Sequence, residues 1–356
     1  MNTHTYQRID HADGLAFLTT AQTRYDGSES EGETVLLAPR VVGVCRSDLR
    51  EIRGERFGRR DFGHEILGTV LDAPQALADL RGRTVLFDPH PLLRHRTSGF
   101  AQLVELVAEP TQLRAALVPA PPGVPTESAV LGEPLACAVH CVRRLLAVTE
   151  DRGTPLSSPV AVVGAGIAGT LIAATLLALG YRCTLFNRRA DRIRFLLDRG
   201  ALPSKVAETD LSRTSFEHVI LATAHASPGY LDTSVRLLAE GGLLMLFAGT
   251  RPGDRLYDLD IDQIRRHELT QAGAVPGKLF TLAGTYGATR ADFTEALTLL
   301  SAPTTAGQWS LADCAHRLIA RRLELSEAPA YLTAAATSGY LGKAVVHITT
   351  GPSERQ

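Results

Sequence analysis

Residues 160–189 read VAVVGAGIAGTLIAATLLALGYRCTLFNRR. An apolar run leads into Gly164, Gly166 and Gly169, spaced G-x-G-x-x-G; a long apolar stretch follows, then a second short strand, YRCTLF. The glycine spacing alone is a weak signal. Between a strand and a helix it acquires a mechanism. Gly164 permits the tight turn, Gly166 lets a pyrophosphate approach the backbone, and Gly169 allows the helix to pack closely on the strand. The helix then opens at Ile167 and Ala168, whose N–H groups have no intrahelical acceptor and can face a phosphate. The plainer alternative is a glycine-rich turn in an α/β core.

About 20 residues beyond the glycines, a site for NAD(H) usually carries an acid that bonds the ribose hydroxyls. This chain has Asn187, Arg188 and Arg189 there. Guanidinium groups hold a 2′-phosphate through paired hydrogen bonds, whereas an acid would repel it. The expected cofactor is therefore NADP(H) in preference to NAD(H). The alternative is that these arginines only begin a solvated helix, since Arg192 and Arg194 continue the basic run.

Downstream, FEHVILATA and GGLLMLFAG are continuous apolar strands separated by the helical run YLDTSVRLLAE. Apolar strands without alternation, spaced by helices, make a doubly wound parallel sheet covered on both faces. Upstream, short β-like runs punctuated by Gly, Pro and Asp predict a small antiparallel sheet or barrel. PTESAVLGEPLACAVHCVRRLLAV reads as helical, with Thr126 as its cap, and TEDRGTPLSSP reads as a domain junction. From about Arg290, helical runs and a terminal strand, KAVVHI, are expected to return to the first domain. The predicted division is 1–147, 148–288 and 289–356, the first and last forming one domain.

The chain has 356 residues, enough for two cores, and a formal net charge of −1, which gives no reason to expect a nucleic acid or an anionic membrane as partner. MNTHTYQRIDHADG has no hydrophobic signal core, so a cytoplasmic location is expected. Five cysteines, odd in number and widely spaced, are not a disulfide framework. Basic residues are almost all arginine; the lysines are Lys205, Lys278 and Lys343.

Cys45, His64, Glu65 and Glu133 are residue types that ligate zinc. Taken singly, Cys45 reads as core and His64 as a structural histidine. Taken with their surroundings, GVCRSDL, GHEILGTV, GFAQLVEL, EPLACAVH, VAVVGAGIAG, LAGTYGATRADFTEAL and GKAVV follow one another over nearly the whole chain. In this order they resemble the medium-chain dehydrogenase/reductase family, the zinc alcohol and polyol dehydrogenases.

The resemblance implies an α/β protein: a GroES-like, β-rich catalytic domain interrupted by a Rossmann domain. It implies that Cys45, His64 and Glu65 ligate a catalytic zinc, and that Glu133 ligates zinc or its water. Ser47 would pass the alcohol proton, Asp48 would orient His64, and Arg46 would meet the cofactor pyrophosphate. The implied activity is hydride transfer between NADP(H) and an alcohol/ketone pair, with a polyol, sugar or cyclitol as substrate. A homo-oligomer, dimer or tetramer, is expected.

Two departures stand out. The relay histidine expected near position 50 is Arg50, which cannot act as a base at neutral pH. Arg50, Arg59 or Arg60 could instead meet an anionic substrate group or be surface charge. Between VLFDPH and GFAQ the chain has only PLLRHRTS, without the cysteine-rich lobe of many relatives, so one catalytic zinc and no structural zinc are expected. His90 and His95 flank that loop and make a poor site by themselves. Cys137 and Cys141 read as core, and His140 as a packing residue. The alternatives are a zinc-free quinone or enoyl-type reductase and a catalytically silent NADP(H)-binding protein.

Overall fold

The computed structural model describes residues 2–25, 32–55, 62–92, 97–210, 215–302 and 308–349. Two compact units emerge, one of Met1–Glu133, Ala296–Ser301 and Ile319–Gln356, the other of Pro134–Glu295 and Ala302–Leu318.

The first unit is built on a seven-stranded sheet in the order Ile319–Glu324, Lys343–His347, Glu33–Gly43, Glu65–Asp72, Thr84–Phe87 and Leu117–Pro119, with Val104–Ala108 also paired to Glu33–Gly43. Every pairing is antiparallel except that between Ile319–Glu324 and Lys343–His347. The expected return of the tail is thus a strand, Val345 opposite Gly43. A long hairpin, Asn2–Ala12 with Leu15–Tyr25, turns at Asp13 and Gly14, both with positive φ. It buries Tyr6, Ile9 and Ala16 in the same core as Val35, Leu37, Phe87 and Phe100.

Three strand ends meet on this sheet. Glu33–Gly43 finishes just before Cys45, Glu65–Asp72 starts just after His64, and Lys343–His347 starts at a lysine. The register Val345–Gly43–Glu65 brings the three together. Gly63 has φ +66, and a Cβ there would lie 2.7 Å from the Phe100 nitrogen, so the turn that presents His64 needs glycine.

The helical reading of 125–148 holds with a break. Thr126 begins the short helix Thr126–Ala129, whose N-cap is Pro125, and Gly132–Asp151 follows as a separate helix. Thr126 is therefore not the cap. With proline at the cap, the fixed ring φ sets the entry and no side-chain cap bond forms.

The second unit has a seven-stranded sheet in the order Ala207–Glu208, Cys183–Phe186, Val160–Val163, Phe216–Leu221, Leu238–Leu246, Lys278–Gly284 and Thr270–Val275. All neighbours are parallel except the last pair. Counting the parallel strands along the chain gives the order 3-2-1-4-5-6, the doubly wound arrangement, and its switch point lies between Val160–Val163 and Phe216–Leu221. Val160, Ala161, Val162, Val219, Ile220 and Leu244 are fully buried, which accounts for strands without polar alternation.

His140 does more than pack. Its Nδ1 lies 2.8 Å from Asp292 Oδ2 and its Nε2 2.8 Å from Glu268 Oε1. With an acceptor on each ring nitrogen, both nitrogens must donate, so the ring is an imidazolium. Asp292 also accepts from Arg143 and from the backbone of Thr289, the N-cap of helix Arg290–Ser301. The Asp292 and Glu268 contacts raise His140 to about 9, against the opposing effect of burial.

A histidine raised in the folded state contributes stability that is complete below its unfolded pKa, about 6.5, and is lost as pH rises through about 9. Urea unfolding of the wild type should therefore show this unit losing up to about 2 kcal/mol between pH 6.5 and 9.5, after allowance for partial solvent screening. His140→Gln should flatten that slope. An unchanged slope in the variant would show that His140 is neutral in the fold.

Candidate functional site

Each unit holds a group of residues that chemistry marks out, and each is described by itself.

In the first unit, Cys45, His64 and Glu65 each offer a ligand atom, and these atoms all lie within 4.8 Å of one another. Among the described residues this is the one such group of three. A thiol, an imidazole and a carboxylate at that mutual distance match the donor set of a three-ligand zinc site with one open position. His64 is buried and Glu65 is 1% exposed.

Asp48, fully buried on the short helix Arg46–Ile52, ties the ligand loops together. Its Oδ2 accepts from the Cys45 N–H at 2.7 Å and its Oδ1 from the Gly63 N–H at 2.9 Å. Oδ1 also stands 3.6 Å from His64 Nδ1, a charge contact rather than a formed hydrogen bond. Burial pulls the His64 pKa down, but Asp48 and Cys45 together hold it well above its usual value. Such a concentration of anionic donors suits a cation.

The sequence reading missed the cation already there. Lys343 is 2% exposed; its Nζ donates to Glu65 Oε1 at 2.6 Å, pairs with Oε2 as well, and donates to the Val44 carbonyl at 3.1 Å. Burial disfavours its charge, yet Glu65, Cys45 and Glu133 keep its pKa above the ordinary lysine value. The signal was available: in a chain this rich in arginine, a lysine heading an apolar strand is conspicuous. A compact ammonium can reach a carboxylate and a carbonyl at a strand end where a planar guanidinium would not fit.

Glu133, at the start of helix Gly132–Asp151, is buried but is not one of the three clustered ligands. Burial raises its pKa and Glu65 adds to the rise, while His64, His90 and Lys343 oppose it. His90 thus belongs to the same electrostatic neighbourhood, which its place beside a shortened loop did not reveal. Its Nδ1 pairs with the buried Asp88 at 2.8 Å. Burial lowers its pKa, but Asp88 and Glu133 bring it above the usual histidine value. Ser47 Oγ is buried and, among the described residues, has no hydrogen-bond partner. Arg46 and Arg50 are exposed, Arg50 lying 3.7 Å from Glu55. Arg59, Arg60 and His95 lie outside the described residues.

In the second unit, the glycine turn sits at the switch point of the sheet. Gly164 has φ +121, and a Cβ there would lie 2.7 Å from the Ala222 carbonyl oxygen. A Cβ on Gly169 would strike the Gly164 carbonyl, so this glycine is needed for close helix–turn packing. Gly166, the N-cap of helix Ile167–Ala178, faces open space. The protein itself gives no steric reason for glycine at 166, whereas a diphosphate approaching the N–H groups of Ile167 and Ala168 would. Asn187 Oδ1 accepts from the Ala165 N–H at 3.2 Å and so braces the turn. Arg188 and Arg189 follow it, both exposed. Cys141, Cys183 and Cys314 are buried free thiols, and burial pushes Cys183 and Cys314 up to about 12.

Lys343→Met should leave the Glu65 carboxylate buried without its counter-charge and cost about 3–5 kcal/mol. A metal bound by Glu65 would replace that counter-charge. Added zinc should therefore raise the melting temperature of the variant more than that of the wild type. Equal shifts in the two proteins would show that Glu65 does not meet the metal.

No protein-family model and no curated protein sequence matches the chain. Solved structures do. L-idonate 5-dehydrogenase from Escherichia coli K-12 superposes with TM-score 0.68 at 15% identity, covering 97% of this chain and 99% of that one. A Sinorhizobium meliloti 1021 protein, described as a zinc-binding dehydrogenase and bound to NADP, gives 0.67 at 21% identity over 97% and 99%. The 2R,3R-butanediol dehydrogenase of Bacillus subtilis gives 0.66 at 17% identity over the same shares. At these identities the likeness is one of fold: the chain has the GroES-like plus Rossmann architecture of the zinc alcohol and polyol dehydrogenases.

Proposed function

We propose that this chain is a zinc-dependent oxidoreductase of the medium-chain dehydrogenase/reductase family, interconverting an alcohol and a ketone with NADP(H). The observation that carries the reading is the Cys45, His64 and Glu65 cluster, three ligand atoms within 4.8 Å on the fold these dehydrogenases share. A zinc-free reductase of the same superfamily would have no use for this donor set.

Cys45, as thiolate, His64 and Glu65 would hold the zinc, which when bound supplies a Lewis acid for the substrate oxygen. Asp48 keeps the loops carrying Cys45 and His64 in place through the two backbone N–H groups it accepts. We read Ser47 as the hydroxyl through which the alcohol proton passes; that its buried Oγ has no hydrogen-bond partner among the described residues supports this. Glu133, buried, with Glu65 adding to the rise in its pKa and His64, His90 and Lys343 opposing it, would ligate the zinc or its water. Arg50 cannot carry the proton onward.

Gly164, Gly166 and Gly169, with the N–H groups of Ile167 and Ala168, would hold the pyrophosphate of a cofactor whose nicotinamide exchanges hydride with the carbinol carbon. Arginines after the second strand, with no acid at Asn187, support NADP(H). The likeness to L-idonate 5-dehydrogenase and 2R,3R-butanediol dehydrogenase, whose named substrates carry more than one hydroxyl, supports a polyol, sugar or cyclitol as substrate. A homo-oligomer acting in the cytoplasm completes the reading. Among the described residues no helix is long and apolar enough to cross a membrane.

Protein purified without chelator should carry one zinc per chain by elemental analysis and turn over a polyol with NADP+ or its ketone with NADPH. Cys45→Ser should lose zinc and turnover while still binding cofactor. Wild-type protein that is metal-free yet fully active would replace this reading with the zinc-free one.

A further inference from the structure

Three side chains follow the strand Cys183–Phe186, and they are not equivalent. Asn187 is engaged with backbone on both sides, its Oδ1 on the Ala165 N–H and its Nδ2 on the Arg189 carbonyl. Arg189 is committed to Asp191, with Nε 3.1 Å from Oδ1 and a second contact to Oδ2. Arg188 has neither kind of partner among the described residues. Its guanidinium carbon lies 4.3 Å from the centre of the Tyr230 ring.

Tyr230 opens the helix Pro228–Leu237, which follows the strand Phe216–Leu221. It is half-buried and packs on the apolar core that contains Phe186, Phe216 and Leu231. The strands Cys183–Phe186 and Phe216–Leu221 flank Val160–Val163 on opposite sides. The Arg188–Tyr230 contact therefore spans the end of the strand that leads into the glycine turn, at the switch point where such sheets bind their ligands.

A cation stacked on a ring uses its face and leaves the N–H groups at its edge unspent. Salt-bridged Arg189 has already spent part of its edge on Asp191. An exposed arginine without support would also have to be ordered by its ligand, at a cost in rotamer entropy. The Tyr230 ring, anchored in the core, lowers that cost in advance.

We propose that Tyr230 is a positioning residue for cofactor selection: it holds Arg188 flat, with its N–H edge free for the 2′-phosphate of NADP(H), and Arg189 takes no part. This rests on the NADP(H) reading above and deepens it.

The test is calorimetric binding of NADP+ and of NAD+ to the wild type and to single variants, without substrate, so that neither zinc nor turnover enters. Wild type should bind NADP+ more tightly than NAD+. Arg188→Ala should weaken NADP+ by about 10–150-fold and NAD+ little. Tyr230→Leu, which keeps an apolar group on the core, should weaken NADP+ by roughly two- to fivefold and leave NAD+ unchanged. Tyr230→Phe and Arg189→Ala should both keep the wild-type ratio. Full selectivity in Tyr230→Leu, or a loss in Arg189→Ala equal to that in Arg188→Ala, would overturn the proposal. A wild type that prefers NAD+ would instead overturn the NADP(H) reading, and the proposal with it.

Discussion

The first unit depends on one buried ion pair. Glu65 and Lys343 are 1% and 2% exposed, and removing two such charges from water costs several kcal/mol per ion. The cost is offset only if they meet closely and their remaining donors are satisfied, as the Val44 carbonyl does for Lys343. That geometry exists only when three strands far apart in sequence, Glu33–Gly43, Glu65–Asp72 and Lys343–His347, end side by side in one register. An apolar pair would be cheaper to bury. What the ionic pair adds is a carboxylate held within 4.8 Å of the ligand atoms of Cys45 and His64. Gly43, opposite Glu65, has the space that the carboxylate needs, since a Cβ there would collide with it.

The second unit solves a different problem with the same economy of groups. A dinucleotide needs donors for its phosphates and a cation for any third phosphate, all at one edge of a sheet. On the proposed reading the turn would supply the first, since Gly164 and Gly169 let helix and strand close on each other and the space beside Gly166 is open. Asn187 braces that turn through Ala165, so the residue that in other chains would be an acid here serves the backbone. Charge is then distributed by partnership: Arg189 is neutralised by Asp191, and Arg188 is held by an aromatic face.

Much of this was legible in the sequence, and the reasons differ from residue to residue. The glycine turn was readable because its signal is local: strand, spacing and helix occupy thirty consecutive residues. The doubly wound sheet followed from apolar strands without alternation. Cys45, His64 and Glu65 were readable only through the ordered resemblance of several segments, since nothing in their spacing brings them to within 4.8 Å; the sheet register does that. The partners of Lys343, the His140 clamp and the Tyr230 platform were not legible. Each is a contact between residues more than forty positions apart, made by ordinary side chains whose meaning comes from their partners. Thr126 shows the opposite error, a good capping residue displaced by its neighbour Pro125.

Whether the cluster at the three strand ends holds a metal through Cys45, His64 and Glu65 decides the proposed function. X-ray absorption at the zinc edge, on protein purified without chelator, addresses this most directly. The account predicts one sulfur at about 2.3 Å and the remaining ligands nitrogen or oxygen at about 2.0–2.2 Å. A zinc with no sulfur neighbour, or with four, would contradict it.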